Sequence, residues 1–130
     1  MNDPPPYYIV LFEHDVSDKL KQLCLCVIEW FDKNYGVDDQ LKFEVLTTPT
    51  VINGHPLTAT FIWKDSYGHP RIMLQQRNFY NPAYELLHEF VHYNQWRNKK
   101  PINHRGVKQR TDLLFSKFTS ENPNLDMNPF

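Results

Sequence analysis

The sequence predicts an α+β domain. A small antiparallel or mixed sheet of three to four strands packs against an N-terminal helix and a second, motif-bearing helix, and a C-terminal helix follows. Three observations predict it. Apolar residues recur at helical spacing from Leu20 to Phe31 and again from Ala83 to Val91. Short runs between them alternate or are rich in β-branched and aromatic residues, and the changes of pattern fall near Gly, Pro, Asn or Asp. At 130 residues the chain supports one modest core, so residues 1–130 are read as one domain with mobile ends at about 1–6 and 120–130. An apolar content of 41% argues against global disorder, and a net charge of −1 gives no bulk attraction to polyanions.

Taken in order, Pro4-Pro5-Pro6 forms a stiff extended lead-in and residues 7–12 a short apolar strand. Asp15 is placed to cap the first helix, with Asp18 in its first turn, where negative charge suits the helix dipole. Leu20, Leu23, Cys24, Val27, Trp30 and Phe31 carry its apolar face, and Gly36 stops it after Tyr35. Cys24 and Cys26 point to different sides of that helix, cannot bridge each other, and are read as small hydrophobes. Two cysteines also exclude a four-cysteine zinc ribbon. Residues 41–45 alternate as a half-buried strand, and 47–56 read as loop with Asn53-Gly54 its turn. Residues 58–63 and 71–76 form an antiparallel hairpin through the turn residues Asp65, Ser66 and Gly68.

The next helix carries the chemistry. Asn81 caps it, Pro82 suits its first position and Pro101 forbids its continuation past Lys100. Ala83, Leu86, Leu87, Phe90 and Val91 form a core-facing stripe, while Tyr84, Glu85, His88, Glu89, His92 and Trp96 face a cleft. His88 and His92, four apart, share one face a turn apart and can direct two imidazoles at one ion. With Glu89 between them this is H-E-x-x-H, in which the glutamate serves as general base. Chance yields the pattern in roughly a few per thousand chains this short, which is the risk any motif carries. The matching helix phase and caps favour the metal reading over a surface helix with two coincidental histidines. A catalytic zinc takes three protein ligands and a water. His104, just past the break at Pro101, is the first choice for the third, with Asp112 the second. His14, His55 and His69 sit near turns and are read as surface histidines. A last helix starts at 104 or 106 and ends near 118.

His88-Glu89-Phe90-Val91-His92, a short spacer and then His104 before a helix resemble the SprT-like (Spartan-like) zinc metalloproteases, which are minimal zincins. The order of elements over residues 15–118, with the apolar strand Arg71-Ile72-Met73-Leu74 shortly before the motif, is also similar to that family. The pattern departs from it after His104, where Arg105 precedes Gly106, and Val107 and Lys108 stand where an aromatic is common. The resemblance implies a zincin-like fold and a Zn2+ held by His88, His92 and His104. It implies a metallopeptidase that hydrolyses peptide bonds through a zinc-activated water with Glu89 as base. Tyr84, Tyr80 and Arg105 are candidates for stabilising the oxyanion, with Tyr84 best placed, and Glu85 could support a histidine N–H. The expected partner is a polypeptide, held extended along a sheet edge.

Two further readings come from other classes. Arg97, Lys99, Lys100, Arg105, Lys108 and Arg110 give six cations and no acid between 97 and 110, a stretch able to hold DNA phosphates or to bring the site to DNA-bound protein. Cations at a helix C-terminus are equally explained by its dipole. The other is a catalytically silent zincin-fold interaction module. The start lacks a basic n-region and no apolar run reaches membrane-spanning length, so a soluble cytoplasmic protein with no membrane partner is expected.

Overall fold

A computed structural model describes residues 8–37, 40–52, 54–63, 69–76 and 81–127. In chain order the elements are β1 (Tyr8–Phe12), α1 (Asp18–Tyr35), β2 (Leu41–Leu46), β3 (Val51–Ile52), β4 (His55–Pro56), β5 (Ala59–Ile62), β6 (Arg71–Gln75), α2 (Pro82–Arg97) and α3 (Val107–Glu121). Among the described residues the fold is α+β, with a four-stranded mixed sheet and three helices.

The sheet order is β1-β2-β6-β5. α1 crosses between β1 and β2, which makes those strands parallel; β6 enters next, parallel to β2 and antiparallel to β5. The expected hairpin therefore forms, and its connection at 64–68 lies outside the described residues. Val10, Phe43, Ile72 and Phe61 stand opposite one another across all four strands, and all belong to the core or pack on it. The alternate rows face away, leaving Ile9 and Leu11 exposed. The helices thus cover one face of the sheet, and successive residues of a strand divide between the two.

α1 buries the residues its spacing predicts, and Ile28 with them. Its Phe31 ring stacks on Phe90 of α2 with centroids 3.9 Å apart, and Phe90 also tilts against Phe43 of β2 at 5.3 Å. One aromatic of α2 therefore joins two helices and the sheet. Each such ring contributes roughly 1.5–3 kcal/mol by leaving water.

Three expectations need correction. Ser17, not Asp15, caps α1: its hydroxyl accepts from the Leu20 N–H at 3.1 Å, while Asp15 takes a turn conformation at φ 71. Residues 47–56 are not all loop, since β3 and β4 pair antiparallel; Gly54, at φ 80, sits in the turn, and Asn53 lies outside the described residues. The last helix starts at Val107 and runs to Glu121. Beyond it Leu125 and Met127 pack against the core. Pro4-Pro5-Pro6 lies outside the described residues. Cys24 is buried, Cys26 half-buried, and both are unbridged. No described helix is long and apolar enough to cross a membrane.

Candidate metal centre

α2 starts where the sequence predicts, with Asn81 Oδ1 accepting from the Tyr84 N–H at 3.1 Å and Pro82 in the first turn. Its core-facing side holds Leu86, Leu87, Phe90 and Val91 below 4% exposure, which fixes the direction of the other face. On that face His88 and His92 lie one turn apart with ring centroids 5.0 Å apart. His104 reaches them from the segment after Pro101, 5.8 Å from His88 and 4.9 Å from His92. One nitrogen from each ring can be chosen so that all three lie within 4.8 Å of one another, close enough to hold one metal ion. Asp112, the alternative third ligand, is not in this cluster. Its carboxylate accepts from the Lys108 ammonium at 2.8 Å and the Tyr84 hydroxyl at 2.6 Å.

The segment that delivers His104 is held at several points. α2 ends in a Schellman turn with Lys99 left-handed at φ 58, the Lys99 N–H on the Trp96 carbonyl at 3.0 Å and the Lys100 N–H on the Gln95 carbonyl at 2.8 Å. The Gln95 side chain bonds both backbone groups of Asn103, and the Asn103 side chain accepts from the Arg105 N–H at 3.0 Å. The Val107 N–H then returns to the His104 carbonyl at 3.3 Å, where α3 begins.

The three histidines share a cleft of about 390 Å³ with Glu85, Glu89, Ile102 and, from β5, Ala59, Thr60 and Phe61. Glu89 is only 5% exposed. Burial first, and the nearby Glu85 carboxylate second, push its pKa up to about 8 against a lowering bond from the Phe61 N–H. His88 and His92 are shifted the other way: burial holds both below the ordinary 6.5, against a raising bond from Gln95 at His92, and the neighbouring imidazoles lower both further. Both rings are therefore neutral at pH 7, the form that binds a metal. Glu85 is itself raised by burial.

No family model, curated protein or solved structure matches this chain. The chemistry rests on these atoms alone. Three imidazoles with no carboxylate among them are a donor set that suits a borderline divalent cation.

Tyr84 is not brought to the cleft. Its ring packs edge-on against Phe115 of α3, and the Asp112 bond pushes its hydroxyl pKa up to about 12. A helical side chain leans toward the N-terminus, which carries the phenol away from the turn holding His88. Tyr80 lies outside the described residues. Arg105 is exposed, and its backbone N–H is taken by Asn103. Of the basic stretch, Arg97 is engaged inside the fold: its guanidinium donates to the Gly36 and Tyr35 carbonyls at 2.7 and 3.1 Å and lies over the Tyr93 ring. Lys108 is paired with Asp112, which leaves Lys99, Lys100, Arg105 and Arg110 as exposed cations.

Sequence reasoning missed Gln95, which is 3% exposed beneath the site, and the cleft-lining part of β5. Gln95 follows His92 by three residues, so helical spacing did place it on the motif face. The wall supplied by β5 comes from sheet order, which no local pattern encodes.

Proposed function

We propose that the chain is a zinc-dependent metallopeptidase that hydrolyses peptide bonds in polypeptide substrates. The observation that carries this reading is the convergence of three imidazoles and one buried carboxylate on a cleft walled by a sheet edge. A divalent ion held by His88, His92 and His104 would supply Lewis acidity, enough to bring the pKa of a water from near 16 to roughly 7.

The chain's own groups do the rest. Glu89 accepts a proton from the attacking water and returns it to the leaving amine. Burial raises its pKa, and a divalent ion held by the three histidines would draw it down, toward the range in which one group both takes and gives a proton. The N–H of Phe61 orients that carboxylate. The Gln75 N–H bonds the Thr58 carbonyl at 2.9 Å, and antiparallel pairing alternates, so Ala59 and Phe61 turn their backbone groups outward from β5. An extended substrate can add to that edge beside the histidines, with its side chains alternating into and out of the cleft. The DNA reading rests on the sequence alone: Arg97 is engaged within the fold and Lys108 pairs with Asp112 at the surface, while Lys99, Lys100, Arg105 and Arg110 are exposed.

Cleavage of an unfolded casein-type substrate, with a chelator control and zinc analysis, tests the reading. Glu89→Gln is expected to retain zinc and lose at least about 100-fold in rate, whereas His88→Ala loses both. Full activity in Glu89→Gln removes the proposed base. Zinc binding without cleavage in the unaltered protein leaves the silent interaction module.

A further inference from the structure

Gln95 makes three side-chain hydrogen bonds, and each goes to a residue on which the metal centre depends. It contacts His92 Nδ1 at 2.9 Å, the Asn103 carbonyl at 3.0 Å and the Asn103 N–H at 3.4 Å. A carbonyl oxygen has no hydrogen to give, so the Gln95 atom facing the Asn103 carbonyl must be the amide nitrogen. The other terminal atom is then the oxygen. It accepts from the Asn103 N–H, and the His92 nitrogen touching it must be a donor as well. This sequence of donors assigns the His92 tautomer. The proton sits on Nδ1, and the Nε2 lone pair remains for an ion.

The same amide also holds the neighbour of His104. Asn103 is fixed through both of its backbone groups, so the next residue leaves Gln95 in a set direction. Two histidines from different segments are thereby referred to one buried side chain.

We propose that Gln95 is the positioning residue of the metal centre, a single amide that turns His92 Nε2 toward the ion and carries His104 to it through Asn103. This rests on the metal reading above, and the geometry adds a coupling between the second and third ligands. Partners of this kind typically change metal affinity 10–100-fold when lost.

Two variants divide the roles. Gln95→Met removes every bond. Gln95→Glu keeps acceptors for the His92 Nδ1–H and the Asn103 N–H but has no proton for the Asn103 carbonyl. Zinc affinity, read by competition with a chromophoric chelator, is expected to fall 10–100-fold in Gln95→Met and by less in Gln95→Glu. In a His104→Ala background Gln95→Glu should cause no further loss, because the part it disturbs is the loop; fully additive losses contradict the coupling. Nitrogen-15 shifts of the metal-free, unaltered protein should report His92 as the Nδ1–H tautomer, a readout that holds even if Gln95→Met fails to fold. An Nε2–H tautomer overturns the proposal. So does unchanged affinity in Gln95→Met, provided His88→Ala abolishes binding. No zinc binding by the unaltered protein removes both this proposal and the metal reading.

Discussion

Phe90 stands between Glu89 and Val91, inside the motif, and points away from the histidines. It is fully buried, stacked on Phe31 and tilted against Phe43. The ring is therefore what sets the rotation of α2 and, with it, the aim of His88 and His92. Phe90→Ala is expected to destabilise the fold by about 3–5 kcal/mol, a large share of the roughly 5–15 kcal/mol available to a small domain. A urea unfolding midpoint close to that of the unaltered protein would contradict this. His88, Glu89 and His92 were legible in the sequence because helical spacing is local. His104 was legible from its place after Pro101. Tyr84 was not, since the partners that draw its ring aside, Asp112 and Phe115, come from a helix 28 residues further on. Gln95 was not either: a polar residue near a helix end reads as solvated until a returning loop covers it.

Two junctions between elements can be tested. The turn that ends α2 places Lys99, a residue with a Cβ, in the left-handed region at φ 58. That conformation costs a non-glycine residue about 1 kcal/mol or more. Lys99→Gly should therefore raise the melting temperature, by about 4 °C for a domain of this size; a fall would mean that the charge matters more than the strain. At the other end of the sheet Glu13 links β1 to the end of β2. Its carboxylate accepts from the Thr48 N–H at 2.6 Å and from the Thr47 N–H and hydroxyl at 3.1 and 2.9 Å. These bonds lower its pKa from 4.5 to about 2. A carboxyl more acidic in the folded state contributes stability above pH 4.5 and loses it as pH falls toward 2. Glu13→Gln should be the less stable protein at pH 6, with the difference shrinking between pH 4.5 and 2. A difference independent of pH would exclude the carboxylate as its source.

At the scale of the whole molecule, the helices were legible because each carries its own period and stops, as with Gly36 for α1 and Asn81-Pro82 for α2. Sheet order was not. Nothing in residues 71–75 announces that β6 will sit between β2 and β5, because pairing is decided by segments far apart in the chain. That order turns β5 into the edge lining the cleft and gives a short motif its opposite wall. The helices pack on one face of the sheet, and the segment after α2 folds back on its own helix, so the candidate centre forms where α2, β5 and the 98–106 segment meet. The most direct measurement is zinc stoichiometry combined with X-ray absorption at the zinc edge of the purified protein. The account predicts one zinc per chain with three imidazole nitrogens at about 2.0–2.1 Å, falling to two in His104→Ala. Sulfur ligands, or a spectrum unchanged by that substitution, would contradict it.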